Sequence, residues 1–280
     1  MENDTNSRLS HLLLDSSLIT GTNRPEVYNV KVIECGSYIQ IYYLENNKTR
    51  KKKNNKELNI KKIDTDKLNK INNSSILAGN TIELKNVIRS KLECQRIAKC
   101  NAEHWRTFIT LTFAENITDI DIAREKIKRF IYKVKRVYKD FMCLYIPEYQ
   151  KRGAVHFHLL TNISIDNDKL IYKQEDNEKF LHVKYWNDGF TSVENITGDI
   201  KKIIGYISKY MTKDIDNRLF SRRRYSYTQN LKRPKISYLN LDDNKHRDLL
   251  EKRLQNKELI YNSPYYDNYN NELIDFNEYL

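Results

Sequence analysis

Residues 107–162 constrain the fold most, because their pattern passes from strand to helix and back to strand in one continuous run. TFITLTF, residues 107–113, is β-rich and has the length of a buried strand. Within residues 119–139, Ile120, Ile127, Phe130, Ile131, Val134 and Val137 recur at helical spacing, with acids early and bases late as the helix dipole prefers. Two further strands, 141–148 and 154–162, flank Tyr149-Gln150-Lys151-Arg152-Gly153, a hairpin-length loop ending in glycine. A short strand at 190–193 and a helix from about residue 198 complete the order β-α-β-β-β-α. That order predicts an α+β fold, an antiparallel or mixed central sheet with flanking helices.

The flanks are patterned differently. Residues 27–44 alternate around Gly36-Ser37 and predict an N-terminal β-hairpin. Residues 46–73 are a Lys- and Asn-rich basic extension with the composition of a solvated linker, and 81–104 are helical in pattern. Residues 164–186 read as an insertion with some local structure, and a helical stretch near 241–256 precedes a tail that carries acids and aromatics without Lys or Arg. A chain of 280 residues with 39% hydrophobic content suits one main domain with appended segments. The expected division is 1–104, hairpin, linker and helix; 105–235, the main domain; and 236–280, helical segment and tail.

Two motifs carry chemistry. In Val155-His156-Phe157-His158-Leu159 the strand period puts both imidazoles on one face and Phe157 on the other. Two neutral imidazoles on a strand leave positions on a divalent ion for a carboxylate, water and substrate oxygens, which suits polarisation of a phosphate. The hairpin brings Glu148 alongside as the expected third ligand, with Gln150 as its rival. On the helix from residue 199, Ile200, Ile203, Ile204, Ile207 and Met211 form an apolar stripe, and Tyr206, Lys209, Tyr210 and Lys213 occupy the arc beside it. Cations beside a phenol favour the phenolate, the form that attacks phosphorus. The bland alternatives are two half-exposed histidines and an amphipathic helix with boundary tyrosines, in a chain that holds 20 of them.

TFITLTF, then HFH on a later strand, then YISKYMTK on a helix, in that order, resemble the three motifs of the HUH endonuclease superfamily. The similarity is narrowest to rolling-circle replication initiators of small phages and plasmids, of the two-tyrosine type, and covers residues 105–234. It implies an RRM-like sheet domain that binds Mg²⁺ or Mn²⁺ through His156 and His158 and nicks single-stranded DNA at a replication origin. In that mapping Tyr206 and Tyr210 are the nucleophiles, Lys209 or Lys213 assists, and the product is a covalent 5′-phosphotyrosine with a free 3′ hydroxyl. A conjugative relaxase or single-strand transposase would use the same site. A non-catalytic nucleic-acid-binding protein would need only the charge and the aromatics. No Gly-x-x-x-x-Gly-Lys-Ser/Thr loop is present, so a helicase, like the polymerase, is expected from the host.

The charge agrees with such a partner: 49 Lys+Arg against 37 Asp+Glu leave +12. Arg222, Arg223, Arg224, Tyr225 and Tyr227, followed by Lys232 and Arg233, interleave cations with aromatics as a DNA-binding segment does, or as an edge strand guarded by charge does. Cys35, Cys94, Cys100 and Cys143 form no CxxC pair, and the sequence has neither a run long enough to span a membrane nor a signal-peptide start, so a cytoplasmic location is expected.

Overall fold

The computed structural model describes residues 25–49, 72–174, 177–198, 200–209, 217–219, 222–267 and 271–280. In chain order its elements are β1 (Val27–Cys35), β2 (Tyr38–Thr49), α1 (Asn72–Cys100), β3 (Thr107–Phe113), α2 (Ile120–Val137), β4 (Cys143–Tyr149), β5 (Val155–Thr161), β6 (Ile171–Gln174), β7 (Asn177–Val183), β8 (Gly189–Asn195), α3 (Ile200–Lys209), β9 (Ser226–Tyr227), β10 (Lys235–Leu239), α4 (Asn244–Leu254), β11 (Leu259–Asp267) and β12 (Glu272–Tyr279). They form two compact units. One draws its described residues from 25–49 and 233–280, the other from 72–232.

In the larger unit an antiparallel sheet runs β6-β7-β8-β3-β5-β4-β9. Its strands alternate, and each face has its own cover. Ile109, Leu111 and Phe113 of β3, Cys143 and Tyr145 of β4, and Val155, Phe157 and Leu159 of β5 pack against Ile120, Ala123, Ile127, Phe130 and Val134 of α2. The start of α2 is fixed by Asp119, whose carboxylate accepts from the amides of Asp121 (2.7 Å) and Ile122 (3.3 Å). On the opposite face Phe108, Leu144, Ile146 and Leu160 meet Cys94, Ile97 and Ala98 of α1 and Ile204 and Ile207 of α3. The sheet with helices on both faces is the α+β arrangement that the pattern of residues 107–162 implies.

The stretch read as an insertion, 164–186, instead adds the hairpin β6–β7 to the edge of this sheet, anchored by the buried Leu170, Ile171 and Val183. The basic-aromatic segment contributes little regular structure beyond β9, which pairs Leu144 with Tyr227 and Tyr145 with Ser226.

The smaller unit is a sheet of order β10-β1-β2-β12-β11. Val30, Val32, Ile39, Ile41 and Leu239 form its core with Leu249 and Leu250 of α4. Residues 46–49 of the expected linker belong to β2, and residues 50–71 lie outside the described residues. The C-terminal stretch with the composition of a disordered tail is ordered: β11 and β12 pair as a hairpin, and β12 runs along β2 from Ile274↔Leu44 to Tyr279↔Ile39. Its acids are used within the sheet. Glu272, 1% exposed, pairs with Lys48 at 2.9 Å, and Glu278 accepts from Gln40 at 3.1 Å. Among the described residues no helix is long and apolar enough to cross a membrane.

Candidate active site

The site lies on the face covered by α1 and α3. Register aligns it: Thr112 stands opposite His156 across β3–β5, and Glu148 stands opposite His156 across β5–β4. One step along, Thr110, His158 and Ile146 form the next row. Directly opposed residues of an antiparallel pair share a face, so the two imidazoles and the carboxylate necessarily project to one side. The β4–β5 turn holds this register. Gln150 N donates to Ala154 O (2.8 Å), Gly153 N donates to Gln150 O (2.8 Å), and Gly153 takes φ +89°, a value that favours glycine.

Glu148 closes on the far histidine rather than the one directly opposite. Its Oε2 lies 2.7 Å from His158 Nε2, and His158 Nδ1 lies 3.2 Å from Thr110 Oγ1. A carboxylate only accepts, so in the neutral ring Nε2 carries the proton and Nδ1 accepts from the threonine hydroxyl. His156 is held differently. It is 8% exposed, and its Nε2 has no hydrogen-bond partner among the described residues. Burial, and then the neighbouring His158, push its pKa down to about 4, with Glu148 pulling weakly the other way. His156 is thus a neutral imidazole with an unused nitrogen.

Among the described residues no group of three or more His, Cys, Asp or Glu side chains is disposed to hold a metal ion. The reason is visible in the same contacts: Glu148 is engaged with His158 instead of converging with it on a shared point. The donor chemistry nevertheless fits a divalent metal, with two imidazoles, one carboxylate and an orphaned buried nitrogen. Gln150, the alternative third ligand, is occupied elsewhere, its Oε1 accepting from Arg152 Nε at 2.9 Å.

Tyr206 reaches this group through an intermediary. Ile204 and Ile207 are buried, as the wheel of residues 199–213 requires, and Tyr206 is 47% exposed beside them. Its ring meets Phe108 edge-on at 5.3 Å, and the Phe108 ring stacks on His158 at 5.7 Å. Phe108 therefore fills the space between phenol and imidazole. A cleft of about 300 Å³, lined by Phe108, Glu194, Asn195, Lys202, Ile203 and Tyr206, opens next to the phenol. Tyr210 and Lys213 lie outside the described residues, as does the side chain of Lys209. Phe108 and Thr110 were not singled out by sequence. Their signal was the alternation of TFITLTF, which acquires meaning only once its register with VHFHLLT is known.

The expected DNA-binding residues separate into two groups. Arg222 and Arg223 are exposed, at the start of α2: Arg222 pairs with Asp121 (2.8 Å), and the Arg223 carbonyl accepts from Arg124 (2.6 Å). Lys232 is exposed and pairs with Glu103 (2.8 Å), and Arg233 is exposed. Arg224, by contrast, is 5% exposed. Tyr225 and Tyr227 stack on each other at 6.1 Å and pack against the core beneath α1. The Tyr225 hydroxyl donates to Glu93 at 3.3 Å, and burial followed by that carboxylate raises its pKa.

An antiparallel sheet that presents two histidines and a glutamate below a helix-borne tyrosine defines a candidate phosphodiester-handling site, and the family comparison agrees with that class. Residues 106–215 match the family described as Replication-associated protein ORF2, a segment that runs from the start of β3 past α3 and so includes Glu148, His156, His158 and Tyr206. No curated protein and no solved structure matches the chain.

Proposed function

We propose that this protein initiates rolling-circle DNA replication by nicking and rejoining single-stranded DNA through a tyrosine of α3 or of the residues just after it. One observation carries the reading: within the segment that matches a replication-associated family, Glu148, His156 and His158 share one sheet face, and Tyr206 leans on the ring that stacks on His158. The metal, Mg²⁺ or Mn²⁺, would be held by His156, His158 and Glu148, and when bound it supplies charge withdrawal from the scissile phosphate.

The chain's own residues do the rest. Tyr206 or Tyr210 attacks phosphorus through its phenolic oxygen, forming the Tyr–O–P bond as the bond from phosphorus to the 3′ oxygen breaks. The phenolic proton ends on that oxygen as the free 3′ hydroxyl, with Lys209 or Lys213 favouring the phenolate beforehand. A second phenol one helical turn on allows a second transfer while the first holds the 5′ end. Phe108 keeps Tyr206 and His158 apart and oriented.

The test is incubation with single-stranded DNA of the cognate origin and Mn²⁺, followed by a denaturing gel for protein–DNA adducts. Wild type is expected to form an adduct, and Tyr206→Phe combined with Tyr210→Phe is expected to form none. Undiminished adduct in the double variant would remove these tyrosines from the mechanism.

A further inference from the structure

Phe190 of β8 is 70% exposed, and its place in the sheet is not incidental. It pairs directly with Thr112, which pairs with His156, which pairs with Glu148. One transverse row on one face therefore reads Phe190, Thr112, His156, Glu148. With neighbouring strands about 4.8 Å apart, the exposed ring stands roughly 10 Å from the orphaned histidine, two strands away across a threonine too short to screen it. Isolated exposed apolar residues are common on protein surfaces and by themselves signify nothing. This one is aromatic, shares a row with the candidate site, and forms a wall of a second cleft of about 400 Å³ that also takes in Lys126, Asn187 and Asp188. Lys126 and Asp188 are paired there, so the cleft offers both signs of charge and an amide beside an aromatic face.

We propose that Phe190 is a stacking platform for a nucleobase next to the phosphate held at His156, with the adjoining cleft receiving the edge of that base. The inference rests on the reading of the site as one for single-stranded DNA and adds to it a direction: the strand crosses the sheet along the row, from the Glu148 side towards β8. A π-face accepts any base, so the platform positions substrate whatever the sequence, and Asn187 and Asp188 are the groups placed to discriminate between bases.

The probe is oligothymidylate with a single 2-aminopurine at successive positions, titrated at low salt without divalent metal against wild type, Phe190→Ala, Phe190→Leu and Phe190→Trp. Wild type and Phe190→Trp are expected to quench fluorescence at a defined position. Phe190→Ala and Phe190→Leu are expected to lose the quenching and to bind roughly five- to hundred-fold more weakly, the range for loss of one base–aromatic stack. Because the ring is largely exposed, an unchanged urea midpoint in Phe190→Ala should confirm that the fold is intact. Equal quenching and affinity in Phe190→Ala, or no quenching by wild type at any position, would overturn the proposal. Adduct formation on origin DNA is scored separately. Adduct with Phe190-independent quenching refutes only the platform, whereas Phe190-dependent quenching with no adduct refutes nicking and leaves the platform standing.

Discussion

Gly189 begins β8 where it lies against the end of β3, and a methyl group there would strike backbone. A Cβ at Gly189 would stand 2.2 Å from the Thr112 carbonyl oxygen, 2.4 Å from the Ala114 amide nitrogen and 2.7 Å from the Phe113 carbonyl carbon. Ordinary contact begins near 3.4 Å, so the strands must part by about 1 Å, and no side chain can yield to spare them. The Thr112 oxygen is also the acceptor for the indole N–H of Trp186 at 3.0 Å, and Trp186 is 6% exposed among Phe113 and Phe130. Overpacking costs about 1–3 kcal/mol and a buried donor left without its acceptor about 1–3 kcal/mol more, so Gly189→Ala should destabilise the larger unit by roughly 2–5 kcal/mol. At about 2–4 °C per kcal/mol for a domain of this size, the Tm should fall by roughly 5–20 °C. Urea unfolding followed by tryptophan fluorescence reads this unit alone, since Trp105 and Trp186 are the chain's two tryptophans and both lie in it. Gly205→Ala supplies the opposite sign: nothing lies within 4 Å of its added Cβ, and replacing a helical glycine should stabilise by about 0.5–1 kcal/mol. Equal urea midpoints for Gly189→Ala and wild type would refute the close approach of β8 to β3.

Mn²⁺ should raise the Tm of wild type, by the equivalent of about 2.7 kcal/mol at a hundredfold excess over Kd, and Glu148→Ala should lose most of that shift; a shift of the same size in the variant would remove Glu148 from the ligand set. Arg222→Gln and Arg223→Gln should each reduce the log–log salt slope of DNA binding by up to about one unit, whereas Arg224→Gln, whose guanidinium is buried, should lower the urea midpoint instead. Anisotropy titrations over a salt series would separate these, and a slope unaffected by all three would take the segment out of the DNA path. Burial, assisted by Tyr279 and Asp275, pushes the Tyr43 phenol up to about 12 from 10.0. The folded state therefore retains a proton that the unfolded state releases, so this contribution is complete below pH 10.0 and disappears as pH rises through about 12. Tyr43→Phe should flatten that part of the alkaline loss measured by circular dichroism, and identical alkaline profiles would contradict it.

The elements most legible in sequence were those whose apolar pattern matched one period over several turns or residues. TFITLTF coincides with β3, and α2 runs between the limits set by Asp119 and the last valine of its stripe. β6, β7, β11 and β12 were missed because too few of their residues are apolar: β12 buries Ile274 while Asp275, Asn277 and Glu278 share its length, so composition resembled a tail. At the site, the strand period alone gave the common face of His156 and His158, and the hairpin gave the nearness of Glu148. That Glu148 would choose His158 over the histidine opposite, leaving His156 Nε2 orphaned, depends on side-chain reach across a twisted sheet, which no periodicity encodes. Tyr225 and Tyr227 misled for a related reason. An aromatic beside cations has the same composition whether it faces a base or, as here, the side chains under α1.

Fold and candidate site are coupled most tightly through register. β5 divides its side chains strictly, with Val155, Phe157 and Leu159 against α2 and His156, His158 and Leu160 towards α1 and α3. A slip of one residue would turn both imidazoles into the apolar layer under α2 and bring Val155, Phe157 and Leu159 to the site, so any register that lost the chemistry would also lose the core. The site therefore needs no separate device to keep its histidines in place. What the core does not fix is the offset of β4, whose apolar residues would tolerate a slip of two. That offset rests on the β4–β5 turn, where Gly153 at φ +89° and the paired bonds between Gln150, Gly153 and Ala154 hold Glu148 level with His156. The smallest part of the hairpin thus decides whether carboxylate and imidazoles meet at all.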